Sequence, residues 1–142
     1  MENKLDISAL IKAHIAFNNA LDFARKVEAK TQDELEFFEF EIARSSLIKH
    51  FEFSYEMCWK TMNRYIKMDI GAEADILTRR DLFRLSAEKR LIADFDAWVN
   101  FHQARNRTSH VYNEDVANEV YETAKIFSGA FDAFIKTMGQ RI

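Results

Sequence analysis

The chain has 142 residues, no proline, three glycines, one cysteine and a net charge of −3. With glycine only at positions 71, 129 and 139, it lacks the turn residues of a multi-stranded sheet and any glycine-rich phosphate loop. One cysteine excludes an intramolecular disulfide framework and a multi-cysteine metal cluster, while 48% hydrophobic residues and thirteen Phe argue for a packed core.

No run approaches the roughly 20 apolar residues that span a bilayer. The first residues, MENKLDIS, do not have the charged-then-apolar layout of a secretion signal, so a soluble cytoplasmic protein is expected. From the N-terminus, Leu10, His14, Phe17, Leu21 and Ala24 recur at three- and four-residue steps, which predicts a helix from about Asp6 to Lys30. Thr31 with Glu34 fits a capping box for a second helix, from about Asp33 to Met68. Its polar side carries Glu41, Lys49, Glu52, Glu56, Lys60, Asn63 and Lys67. Its apolar side is unusually wide, including Phe38, Ile42, Leu47, Phe51, Phe53, Tyr55, Cys58 and Met62. Such a width implies burial against several helices and against a second chain. The sequence Asp69-Ile70-Gly71-Ala72 ends this helix.

Thr78 and Asp81 open a short third helix that ends near Arg90, and a fourth begins near Asp94. Asn113 reads as the N-cap of a fifth, with Glu114 and Asp115 where the helix dipole favours anions. There is no repeat and no linker. The expectation is one all-α domain over residues 1–142, an antiparallel four-helix bundle with one additional short helix. The stretch from Arg79 to Arg107 holds seven basic and four acidic residues, read as solvated helix surface.

The fourth helix breaks its own pattern. Phe95, Trp98 and Val99 begin an inward face, and the same steps lead to His102, Arg105, Asn106 and Ser109, with His110 next. Burying such groups costs several kcal/mol unless they are paired or face a wet cleft. Either the face is functional, or the helix simply emerges from the bundle there. Arginine matches phosphate oxygens with a planar, permanent charge, and histidine moves protons near neutral pH. No HExxH and no hydroxyl–His–acid spacing is present, and His102 and His110 stand apart from any acidic cluster, so neither a metal nor a cofactor is expected. Arg105 with His110 suits metal-free acid–base work on a phosphodiester. His14 reads as a hydrogen-bonded core histidine, His50 as core-edge or surface, Cys58 as a buried hydrophobe, and Tyr55 and Tyr65 as core residues with a reachable hydroxyl.

The segment RNRTSHVY, residues 105–112, resembles the Arg-x4-His motif of HEPN domains. It is most similar to the short all-helical HEPN proteins that pair with a minimal nucleotidyltransferase as toxin and antitoxin, also labelled nucleotidyltransferase substrate-binding proteins. Arg105 and His110 hold the motif spacing, Asn106 follows the Arg, and Tyr112 stands two after the His. The aromatic helix with FEFSYEMCWK, residues 51–60, followed by the Arg–His helix and a closing helix, agrees as well.

The resemblance implies a metal-independent endoribonuclease that works as a homodimer on RNA. Arg105 and His110 would be catalytic, and Asn106 and Ser109 positioning. One motif has a single His, and a two-fold axis through a shared cleft would supply both base and acid. The partner nucleotidyltransferase, the antitoxin, would attach AMP to Tyr112. His102, one turn before Arg105, is either a structural group or a support for it. Two rival readings stand beside this one: a non-catalytic module that binds a nucleotide or substrate for a separate nucleotidyltransferase, and a scaffold with a solvated helix end.

Overall fold

Each apolar stripe must leave water, and a helix buries a stripe only against other helices. A computed structural model describes residues 5–30, 38–71 and 77–142, and among these residues the regular structure is entirely helical. The helices are α1 (Ser8–Glu28), α2 (Glu39–Ile70), α3 (Arg79–Glu88), α4 (Phe95–Arg107) and α5 (Glu114–Arg141), with a 3-10 turn, Thr108–His110, after α4. None is long and apolar enough to cross a membrane.

Local chemistry sets most of the helix ends. The Thr78 hydroxyl accepts from the Asp81 amide at 3.1 Å, and the Asp94 carboxylate accepts from the Ala97 amide at 3.1 Å. The Asn113 carboxamide accepts from the amides of Asp115 and Val116 at 2.9 and 3.2 Å. Each such cap contributes about 1 kcal/mol. The Asp81 carboxylate turns to Arg84. At the end of α2, Gly71 has φ of 90°, a left-handed value that glycine adopts without a Cβ penalty. Thr31, Glu34 and the expected first turn from Asp33 lie outside the described residues, as does Ala72.

Residue pairs across the interfaces give the directions. His14 meets Asp132, Phe17 meets Phe127, and Glu28 meets Tyr121, so α1 and α5 run antiparallel. Trp98 meets Phe134 and Arg107 meets Glu119, so α4 also opposes α5. Tyr55 meets Trp98 while Glu52 and Glu56 meet Arg105, so α4 opposes α2. Arg44 with Glu114, Phe51 with Phe127 and Tyr65 with Arg141 show that α2 and α5 run parallel. The fold is therefore an antiparallel bundle in which α1 and α4 each pack on both α2 and α5, with α3 bridging α2 and α4.

Phe127 is the centre of the core. Its ring lies 5.1–5.7 Å from those of Phe17, Phe51, Trp98, Phe101 and Phe131. Of the wide apolar side of α2, Leu47, Phe51, Tyr55, Cys58 and Met62 are buried, but Phe38, Ile42 and Phe53 stay exposed. Burial pushes the Cys58 thiol well up, as suits an inert core residue. His14 lies at the edge of the core, with Nε2 at 2.6 Å from the Asp132 carboxylate and its ring edge-on to Phe131. The Nδ1–H of His50 donates to the Ser46 carbonyl at 2.8 Å.

Candidate functional site

The buried stripe of α4 runs through Trp98, Phe101, Ala104 and Thr108. The stripe that the sequence assigns to the interior lies beside it. Phe95, Val99, His102 and Arg105 are half-buried, and Asn106, Ser109 and His110 are exposed. His102 and Arg105 are paired with α2, while the last turn, with Asn106, Ser109 and His110, emerges into solvent.

Arg105 is held from three directions. Its Nε donates to Oε1 of Glu56 at 3.1 Å, its Nη1 donates to the Thr108 hydroxyl at 3.3 Å, and its Nη2 lies 3.8 Å from Oε1 of Glu52. Glu56 is itself fixed, because its Oε2 accepts from the Trp59 indole at 2.9 Å. The Arg79 guanidinium lies 3.4 Å from the centre of the Trp59 ring, a stacked cation–π contact. The Nε edge of Arg105 is thus occupied, while Glu52 stands beyond hydrogen-bond range of Nη2.

Arg79 also joins α3 to a second chain of bonds. Its Nη1 donates to the Tyr55 hydroxyl at 3.3 Å, and that hydroxyl lies 2.8 Å from Nδ1 of His102. With its oxygen accepting from Arg79, the phenol donates to Nδ1. Burial pushes the Tyr55 hydroxyl well above the ordinary phenol range, so it keeps its proton. Burial, then the Arg79 and Arg105 charges, push the His102 imidazole down, against the opposing pull of Glu56. A neutral His102 accepting at Nδ1 carries its proton on Nε2. The Asn106 amide nitrogen Nδ2 lies 3.4 Å from that nitrogen, and turning the carboxamide end for end brings its oxygen there to accept from Nε2–H.

α4 tightens into the 3-10 turn through the Thr108 amide, which bonds the Arg105 carbonyl, and the Thr108 hydroxyl donates to the same carbonyl at 2.8 Å. This turn carries His110 out to solvent at its end. The Tyr112 ring stands edge-on to His110, with its hydroxyl 3.5 Å from Nδ1, and Tyr112 is 85% exposed. The Ser109 hydroxyl donates back to the Asn106 carbonyl at 3.3 Å. Among the described residues, no three His, Cys, Asp or Glu side chains converge as a metal site would require. A cleft of about 640 Å³ is lined by a different face of α4 (Ala97, Trp98 and Phe101) and by α5, away from Arg105.

Sequence reasoning did not single out Glu52, Glu56, Trp59 or Arg79 as parts of this site. Glu52 and Glu56 lie one turn apart on the polar side of α2, among lysines. That spacing aligns two carboxylates on one face, but it does not name the cation they meet.

Three comparisons bear on this arrangement. A family model described as nucleotidyltransferase substrate binding protein like matches residues 5–140. The chain is 37% identical over 76 residues to the probable ribonuclease HepT of Haemophilus influenzae, an alignment covering 52% of this chain and 52% of that protein. The chain thus spans about half the length of the curated relative it matches. Its fold superposes with a TM-score of 0.79, at 25% identity, on a solved H. influenzae structure, covering 91% of this chain and 98% of the other. That structure is described as revealing the fold of a substrate binding domain of a nucleotidyltransferase.

Proposed function

The chain belongs to the nucleotidyltransferase substrate binding protein like family, and from that premise we propose that it is a toxin-type, metal-independent endoribonuclease held in check by a partner nucleotidyltransferase. The observation that carries this reading is the pairing of two differently prepared groups. Arg105 is fixed through its Nε edge by Glu56, and five residues on His110 is exposed to solvent at the end of the 3-10 turn. A fixed guanidinium can hold a phosphate and offset the charge that develops on it. An exposed imidazole can move a proton near neutral pH.

In the proposed reaction the 2′-hydroxyl of RNA attacks its own 3′-phosphate. One imidazole takes the hydroxyl proton as the P–O bond forms. A second imidazole protonates the departing 5′-oxygen, which leaves a 2′,3′-cyclic phosphate and a free 5′-hydroxyl. Two histidines are needed, and a two-fold dimer supplies both copies of His110. The exposed Ile42 and Phe53 on α2 support such a dimer. Asn106 and Ser109 act as positioning residues. The test is cleavage of RNA by the purified protein in EDTA, with His110→Ala and Arg105→Ala as controls. Cleavage that needs an added metal, or that survives His110→Ala, refutes the proposal.

Regulation follows from Tyr112. Its hydroxyl is exposed and lies against His110. In that step the Tyr112 hydroxyl attacks the α-phosphate of ATP held by the partner, pyrophosphate leaves, and the attached AMP adds a negative charge and a bulky base beside the motif, which compete with RNA phosphate for Arg105. Co-expression with the partner followed by intact mass measurement tests this: adenylate increments are expected on the parent chain and not on Tyr112→Phe. A second reading, a non-catalytic subunit that binds nucleotide or substrate, is favoured by the ion pair that already engages Arg105 and by the description of the solved relative. Nucleotide binding with no cleavage selects it.

A further inference from the structure

A cleft of about 230 Å³ opens between α2, the 3-10 turn and the start of α5, and it adjoins the motif. Its walls include Ser45, Ile48, Lys49, Glu52, Thr108 and Val111. Two of them touch the Arg105 guanidinium: Thr108 accepts from Nη1 at 3.3 Å, and Glu52 lies 3.8 Å from Nη2. A third, Val111, directly follows His110. The cleft therefore begins where Arg105 would hold a phosphate.

Its chemistry is graded. Ile48 and Val111 are apolar and can lie against a nucleobase, and Ser45 and Thr108 offer hydroxyls. Lys49 stands at the wall, with its side chain 79% exposed and its Nζ 3.9 Å from the Glu52 carboxylate. Arg44 is buried and its Nη atoms are engaged by Glu114 and Asn118, so its charge is offset by a carboxylate and Lys49 is the exposed cation of the cleft wall. Glu52 lies between two cations, Lys49 and Arg105, and meets neither at hydrogen-bond distance. A carboxylate held this loosely between cations is replaceable by another anion. The volume is below the roughly 300–1,000 Å³ of a site for drug-sized ligands, which suits one nucleoside unit of a chain that continues outside.

We infer that this cleft is the subsite for the nucleoside next to the scissile phosphate of single-stranded RNA, with Lys49 binding a backbone phosphate and Glu52 a counter-ion that the RNA displaces. The inference rests on the ribonuclease reading and deepens it. Glu52 and Glu56, one turn apart, then have opposite effects. Glu56 orients Arg105 and supports the reaction. Glu52 competes with RNA and weakens its binding.

The experiment measures RNA binding and cleavage separately. A short oligoribonucleotide is titrated against the His110→Ala protein by fluorescence anisotropy across a salt series. Lys49→Ala should weaken binding and reduce the slope of log affinity against log salt by about 0.7, the value for one single-strand phosphate contact. Ser45→Trp, at an exposed position that fills the cleft, should raise KM in the otherwise parent enzyme while kcat is retained. Glu52→Gln should lower KM. Unchanged salt slope and KM in all three variants, with the parent still cleaving RNA, overturn the subsite and leave the ribonuclease reading intact. Binding that depends on Lys49 and Ser45 without cleavage by the parent keeps the cleft as an RNA-binding site and overturns both the ribonuclease and the place of the cleft beside a scissile phosphate. Unaltered far-UV spectra establish that the variants are folded.

Discussion

Between α1 and α5 the bundle is closed by Phe17, Phe127 and Phe131, with Phe17 edge-on to the other two at 5.5 and 5.7 Å, and its polar pair, His14 with Asp132, lies at the rim. Between α2 and α4 the seam begins in the same way, with Tyr55 against Trp98, and then changes material within two turns. Aromatic contacts give way to the Tyr55–His102 hydrogen bond and the Glu56–Arg105 ion pair. Helical spacing is the same in both seams, so spacing alone does not separate them. What separates them is the use of polarity. On α1 a histidine at the core edge closes a rim, whereas on α4 a set of bonds holds an arginine still beside an exposed histidine. Substitutions in the first seam should therefore act on stability, and substitutions at the end of the second on chemistry.

The largest effect is expected at that end. His110→Ala should lower the RNA cleavage rate by roughly 10²–10⁴, the usual loss for a general acid–base group. Its unfolding midpoint should stay at the parent value, because His110 is exposed. The complementary substitution is Phe127→Ala in the first seam, at a fully buried ring that touches five others. It should cost about 3–5 kcal/mol of unfolding free energy in denaturant titration. At temperatures where it remains folded, its residual activity should follow the folded fraction. A His110→Ala protein that loses comparable stability, or a folded Phe127→Ala protein with a specific loss of kcat, would erase the distinction between the seams.

A smaller effect sharpens it. Glu56→Ala removes the acceptor at Arg105 Nε and the partner of the Trp59 indole. A hydrogen bond to a charged group contributes about 1.5–3 kcal/mol, and losing the orientation it provides should lower kcat about tenfold with a lesser change in KM. Steady-state kinetics read the split. A change confined to KM would make Glu56 a binding residue like the others on that face.

Parts of this arrangement are local and parts are not, which is why the sequence reveals them unequally. Thr78, Asp94 and Asn113 announce their helix starts because a cap closes on an amide two or three residues away. Arg105 and His110 stand out because their spacing lies within one helix end. The partners of Arg105 and His102 do not stand out: Glu56 is 49 residues from Arg105, and Tyr55 is 47 from His102. Only the register between α2 and α4 brings them together. The direction of the α4 stripe is similarly hidden. The rows Phe101-Ala104-Thr108 and His102-Arg105-Ser109 run side by side, one residue apart, and a small Ala with a Thr marks the buried row only weakly. The exposed Phe38, Ile42 and Phe53 read as core in a single-helix pattern, and their actual exposure depends on how far the neighbouring helices reach.

The smallest predicted effect concerns His102 and the pH dependence of folding. Its Nδ1 accepts from a phenol whose oxygen already faces the Arg79 cation. Protonating that nitrogen would place two donors and a second positive charge around one hydroxyl. Burial first, then Arg79 and Arg105, accordingly hold the folded imidazole below its ordinary value of 6.5. The sign follows from proton linkage. The unfolded chain binds this proton more readily than the folded one, so the stability that the neutral imidazole contributes is fully present above the ordinary value. It is lost progressively as pH falls below 6.5 toward the lowered folded value. His102→Asn removes the titration while keeping a polar side chain, so the unfolding midpoint of the variant should fall less than that of the parent between about pH 7.5 and about pH 5. His14 is the control, because its partner is a carboxylate on the aromatic seam and not a phenol beside a cation. If parent and His102→Asn midpoints fall in parallel across that range, the Arg79–Tyr55–His102 chain does not select the neutral imidazole, and the second seam loses the feature that most separates its histidine from that of the first.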